Sequence, residues 1–158
     1  MKARAVTGLD PDADLTQAAR RIVSVRADEL FTFAAEALDP LNATALHDMR
    51  IAAKRFRYAL EIIGFCLPTI AAEAETRARQ IQSLIGAIHD HDVLLERIAA
   101  SGESDAKGTR YLIVRVQSRR DALFGEFKAL WRTIEASDLR GRIIAATGYS
   151  PKGTALRA

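Results

Sequence analysis

The spacing of apolar residues constrains the fold of this chain more than any other feature. Hydrophobic residues recur at intervals of three and four along most of the 158 residues, and this period places them on one side of an α-helix. Alternating runs of β-branched residues, which would predict strands, do not occur. The sequence therefore predicts an all-α protein, an antiparallel helical bundle of about four to five helices.

Capping and breaking residues divide this pattern into helices. The first helix is predicted to begin after Asp14, which can act as its N-cap, and to run to near Leu38. The second is predicted to start at a cap provided by Asn42 or Thr44. It is predicted to run to about Phe65, where a glycine and a following proline are typical of a helix end.

The second half of the chain is predicted to hold three more helical segments. A third helix is expected over about 69–88, a short helix over about 92–100, and a long last helix over about 109–136. The polar sequence SGESDAKG between the last two reads as a loop.

Length and composition indicate one folded domain. A chain of 158 residues with 49% hydrophobic residues is long enough and apolar enough to bury a core. We expect a single domain over 1–158, with its core at about 15–136 and flexible tails at 1–14 and 139–158. No apolar run resembles a secretory signal or approaches the roughly 20 residues of a membrane span, so a cytoplasmic protein is expected.

Positive charge is concentrated in the predicted second helix. The net charge is +3, but the segment HDMRIAAKRFR at 47–57 contains four Lys or Arg and one Asp. At about 100° per residue, its apolar side chains fall on one side of the helix, and one histidine and three cations share another. The members of this second side are His47, Arg50, Lys54 and Arg57, with Tyr58 beside them.

Two interpretations of this basic side remain open from spacing alone. It is either a solvated helix face or a binding surface for an anion. Cations one turn apart repel each other, and an extended polyanion would relieve that repulsion. Arginine forks and lysine charges suit phosphate oxygens, and histidine can donate to them as well. In the last helix Arg119 interrupts an apolar stripe and Arg115 lies one turn earlier, so both are further candidates for an anion.

The sequence IHDHDVLL at 88–95 places two histidines beside two aspartates. Such a cluster is typical of a metal site, but four consecutive residues on a helix cannot all converge on one ion. We therefore predict a junction, in which the third helix ends near Ile88 and Asp90 or Asp92 caps the next helix. No metal and no cofactor is predicted.

Two stretches of the sequence resemble a known family. LHDMRIAAKRFRYALEII is similar to the signature helix of CHAD domains, in which a His-x-x-Arg start leads into a basic stretch and an Arg-Tyr-Ala-Leu-Glu run. IQSLIGAIHDHDVLL resembles the family's second pattern, a Gln followed by Leu-Gly and then Asp-x-Asp-Val. The last helix is similar to a late helix of the family, so the resemblance covers about residues 15 to 135. The matching residues of the first two patterns are His47, Arg50, Lys54, Arg55, Arg57, Gln82, Gly86, Asp90, Asp92 and Val93.

The resemblance implies a helical bundle that binds inorganic polyphosphate through basic side chains, with neither a metal nor catalysis. The residues expected to bind are His47, Arg50, Lys54, Arg55, Arg57, Tyr58, Arg115 and Arg119, and Asp90 and Asp92 are expected to cap a helix or pair with arginines. Family members usually carry two copies of a four-helix unit, whereas this chain has one His-x-x-Arg helix. A homodimer that supplies the second copy is therefore expected.

Two other functions share parts of this pattern. A metal-dependent phosphohydrolase would use the pairs His47-Asp48 and His89-Asp90, although adjacent helix positions point about 100° apart. A nucleic-acid-binding module would use the same basic helix, although Tyr58 is its one aromatic platform. A scaffold whose partner's acids neutralise the basic helix is the plainest alternative.

Overall fold

The computed structural model describes residues 2–12, 14–101 and 107–149. Every regular secondary-structure element within these ranges is helical. This confirms the all-α prediction. The helices in these ranges are α1 (Leu15–Thr32), α2 (Ala34–Ala37), α3 (Ala43–Ile63), α4 (Ala71–Ala100), α5 (Lys107–Ala136) and α6 (Leu139–Thr147), with a 3₁₀ turn at Gly64–Cys66 after α3.

The N-caps of the first two long helices are residues that the sequence predicted as caps. The Asp14 carboxylate accepts a hydrogen bond from the Gln17 N–H at 2.8 Å, and the Asn42 side chain accepts one from the Ala45 N–H at 3.0 Å. Asn42, not Thr44, is therefore the N-cap of α3. The predicted single first helix is interrupted at Phe33, one residue after a threonine whose hydroxyl donates to a carbonyl four residues earlier, a bond that often bends a helix.

The predicted junction in IHDHDVLL is wrong, because α4 runs through it without a break. No glycine or proline stops the helix between Gly86 and its end. Ile85, Ile88 and Ile98 keep the helical period across this segment and are all buried, so one amphipathic helix satisfies it. Asp90 and Asp92 consequently lie inside α4 and do not cap a helix.

The core lies between α3 and the helices around it. The apolar side of α3 is buried as its spacing predicts, with Met49 and Phe56 at most 1% exposed. On its two flanks α3 packs against α1 and α4, and α4 in turn packs against α5. No α-helix among the described residues combines the length and the hydropathy that a transmembrane span requires.

The sequence predicts a poorly ordered or partly helical tail after α5, and the structure shows the helical alternative over Leu139–Thr147. This segment forms α6, which packs against α1 and α5 and buries Leu139 and Ile143. Arg140 donates to Asp28 of α1 at 3.2 Å, and Arg142 donates to Glu73 of α4 at 3.1 Å. These contacts come from distant parts of the chain, which local composition does not reveal. The remainder of the predicted tail, 150–158, lies outside the described residues.

Candidate anion-binding site

Four side chains on one side of α3 form what we call the basic face: His47, Arg50, Lys54 and Arg57. The opposite side of the same helix is buried in the core, so the basic face is turned toward solvent and toward one flank of α4. His47 and Lys54 are exposed, and Arg50 and Arg57 are half-buried. The face extends over about 15 Å of helix, which suits an extended ligand better than a compact one.

A cleft of about 290 Å³ lies at the N-terminal end of the basic face, between α3 and α4. His47 and Arg50 line it from α3, and His89, Asp92 and Glu96 line it from α4. The imidazole rings of His47 and His89 lie 6.3 Å apart, centroid to centroid. Two histidines forty-two residues apart in sequence thus meet at one site.

His89 was not among the residues that the sequence assigned to the site. The sequence interpretation left His89 out because the CHAD pattern matches Asp90 and Asp92 and leaves the position of His89 free. A usable signal was present in the spacing of Gly86 and His89, which places both on one side of a continuous helix. A glycine on such a side is typical of a close approach by a neighbouring side chain.

Arg50 makes that close approach. Its Nε is a buried side-chain nitrogen that has no hydrogen-bond partner among the described residues. A Cβ atom added at Gly86 would lie 3.4 Å from this Nε, so the missing side chain leaves room for the arginine. A buried N–H donor without a partner destabilises a fold by about 1–3 kcal/mol. Hydrogen bonding of the Nε therefore does not explain the position of the Arg50 side chain.

The other end of the basic face is partly neutralised. The Arg57 Nε donates to the Gln82 Oε1 at 3.0 Å, and the Arg57 guanidinium also forms an ion pair with Glu61 and lies 4.5 Å from the centre of the Tyr58 ring. The Lys54 Nζ lies 5.7 Å from the same ring. Within the described residues no carboxylate comes within ion-pair distance of Lys54, which leaves its charge available.

Arg55 lies on a different side of α3 from the basic face. It forms an ion pair with Glu29 of α1 at 2.9 Å, and Arg26 contacts the same carboxylate at 2.6 Å. The Glu29 side chain is only 3% exposed, so this carboxylate requires nearby cations. One step of 100° from Lys54 is enough to move Arg55 from the solvent side to the α1 interface.

Arg115 and Arg119 do not reach the cleft. Both are exposed on α5, and Arg119 pairs with Glu126 of its own helix at 3.2 Å. The arginine that connects α5 to the site is Arg120, which the sequence did not single out. Its guanidinium donates to Asp92 at 2.7 Å and to the Pro40 carbonyl at 2.7 Å, which ties α5 and α4 to the turn before α3.

The remaining residues of IHDHDVLL point in different directions. The Asp90 side chain is 83% exposed, and its nearest ionic contact is the His89 Nδ1 at 3.9 Å. The His91 Nδ1 lies 2.7 Å from the Ala87 carbonyl and donates to it. Among the described residues, no group of three or more His, Cys, Asp or Glu side chains is arranged to hold a metal ion.

An all-α bundle with basic side chains along one helix and a cleft at one end of that face defines the structural class of the described residues. A comparison with protein families narrows this class: the model of the CHAD domain matches residues 2–99. The match includes α1, α2, α3 and nearly all of α4, and the chain belongs to the CHAD domain family. The similarity of the last helix lies outside the matched residues.

No curated protein and no solved structure gave a significant match to this chain.

Proposed function

We propose that this protein binds inorganic polyphosphate, or a similar polyanion, through the basic face, and that it acts as a binding domain without catalysis. The CHAD family is one of polyphosphate-binding domains. The proposal rests mainly on one observation about Arg50 and Lys54, which lie one turn apart on α3. Neither cation has a carboxylate partner among the described residues.

The chemistry of the basic face suits a chain of phosphates. Arg50 offers a guanidinium fork held in place by α4, and Lys54 offers a point charge one turn further along α3. His47 adds a donor at the cleft, and Arg57 with Tyr58 adds donors at the opposite end. Arg55 is better explained by its buried partner Glu29, so we do not include it in the proposed site.

A titration with polyphosphate of one defined length tests this proposal. Replacing both Arg50 and Lys54 by Ala is expected to weaken binding at least about tenfold, because two charge-assisted contacts are lost. The matched control replaces Arg110 and Arg132, two exposed arginines of α5, and changes the net charge by the same amount. A loss that is equal in both double variants would show that only net charge matters. Easy displacement of polyphosphate by RNA at moderate salt would favour the nucleic-acid alternative.

We further propose that two chains associate as a homodimer. Family members usually carry two four-helix units, as the resemblance implies, and this chain supplies one basic face. A twofold pair of chains would present two such faces. Sedimentation in solution is expected to give twice the chain mass of 17.3 kDa, and a strict monomer that binds polyphosphate tightly would contradict the dimer.

A further inference from the structure

The cleft at the end of the basic face combines positive and negative walls. The first turn of α3 contributes Ala43 and Thr44, at the helix end whose partial positive charge attracts anions. The Ala43 N–H already donates to the Leu41 carbonyl and the Ala45 N–H to the Asn42 cap, so Thr44 is the residue of this turn that we consider for an anion. Arg50 adds its positive charge to this wall of the cleft, and the His47 ring lies on the same side of α3. The side formed by α4 instead presents the carboxylates of Asp92 and Glu96.

The two carboxylates differ in how they are balanced. Asp92 is neutralised by Arg120 at 2.7 Å. Glu96 is exposed, and among the described residues no cation lies within ion-pair distance of it. An anion that enters the cleft from the basic face therefore meets an unbalanced negative charge at the far wall. A run of phosphates that continued past Glu96 would be repelled by it.

The chemistry of a polyphosphate chain differs between its ends and its interior. An internal phosphate carries one charge and no proton near neutral pH. A terminal phosphate has three non-bridging oxygens and a second ionisation with a pKa of about 6, so it retains a proton part of the time. A protonated terminal oxygen can donate to a carboxylate, whereas an internal phosphate cannot.

Building on the proposed function, we propose that the cleft receives the terminal phosphate of a polyphosphate chain, with His89 and Glu96 as the residues that distinguish an end from an interior. Thr44, His47 and Arg50 of α3 hold the anionic oxygens, and His89 faces them from α4. Glu96 accepts a hydrogen bond from the protonated oxygen. The rest of the chain then runs along the basic face toward Lys54 and Arg57.

The test compares two ligands of the same length. One is polyphosphate with free ends, and in the other both terminal phosphates are alkyl esters, which makes each end resemble an interior unit. The protein is expected to bind the blocked chain at least about tenfold more weakly, because a charge-assisted hydrogen bond is lost. Titration calorimetry measures both affinities.

Variants separate end recognition from general binding. Glu96→Gln and His89→Ala are each expected to lower the ratio of the affinity for the free-ended chain to the affinity for the blocked chain. Lys54→Ala is expected to weaken the binding of both ligands and to leave this ratio unchanged. The control is Glu36→Gln, which replaces an exposed carboxylate outside the cleft and is expected to change neither the affinities nor their ratio. Equal affinities of the parent protein for free and blocked chains would overturn end recognition and leave the proposed function standing. Failure to bind either chain would overturn the proposed function.

Discussion

The Arg50 side chain lies across a position of α4 that has no side chain. Gly86 lowers the helix propensity of α4 by about 1 kcal/mol relative to alanine, and it leaves the Arg50 Nε buried without a partner among the described residues. Both features work against fold stability. Together they place a guanidinium beside the cleft, as the proposed binding role of Arg50 requires.

Replacing Gly86 by Leu tests this explanation. The added side chain would extend into the space beside the Arg50 Nε, displace the guanidinium and weaken polyphosphate binding several-fold, while helicity stays the same. Gly125→Leu on α5 is the matched control, because a Cβ atom there meets nothing within 4 Å. Circular dichroism and titration of both variants provide the measurement, and equal affinities would contradict the role of Gly86.

Truncation of the adjacent cations Lys54 and Arg55 of α3 is expected to change different properties, the affinity in one case and the stability in the other. Arg55→Ala removes one partner of the buried Glu29 carboxylate, so it should lower the free energy of unfolding by about 1–3 kcal/mol and leave the affinity of the folded protein unchanged. Lys54→Ala should weaken binding and leave stability within about 0.5 kcal/mol. Chemical denaturation and titration of each variant distinguish the two roles. A loss of affinity in Arg55→Ala without a loss of stability would indicate that Arg55 belongs to the binding site.

At the scale of the helices, local patterns predicted some elements well and others poorly. The apolar period and the caps of α3 are local signals, and they identified the core side, the N-cap candidates and the basic face. The continuity of α4 was missed because Asp90 and Asp92 were interpreted as helix caps, and the pairing of Asp92 with Arg120, twenty-eight residues away, is not visible in the local sequence. For the same reason the cleft could not be predicted in full, since His89 meets His47 only when α4 is unbroken.

The attachment of α6 to α4 is expected to depend on pH. The hydrogen bond from Arg142 lowers the pKa of Glu73 below its ordinary value of 4.5. A carboxyl whose pKa is lower in the folded state stabilises that state above its unfolded pKa, and the contribution is lost as pH falls through the folded value. Amide hydrogen exchange in α6 should therefore speed up relative to α5 as the pH is lowered from about 6 to about 3.

Glu73→Gln is the control for this effect. The variant lacks the carboxylate, so α6 should exchange faster than in the parent protein already at neutral pH and show little further change on acidification. If acid had the same effect on α6 in the parent and in the variant, another group would control its attachment.

At the scale of the whole molecule, the small net charge of +3 hides an uneven distribution. Among the described residues, the arginines that connect α1 with α3 and with α6 are paired with carboxylates, so the positive charge that the basic face offers to a ligand comes from few side chains. Polyphosphate binding should weaken as salt rises, with a slope of log affinity against log salt of about −0.7 for each phosphate neutralised, by analogy with single-stranded nucleic acid. Removing Arg50 and Lys54 should reduce the size of that slope by about 1.4, and a slope that does not change would place the contacts elsewhere.

The affinity of the Arg50→Ala, Lys54→Ala double variant for polyphosphate is the most direct test of the basic face as a binding site. We predict a loss of at least about tenfold relative to the parent protein, with unchanged helicity and with full affinity in the α5 control that lacks Arg110 and Arg132. An affinity of the double variant equal to that of the parent protein would contradict the assignment of the site to α3.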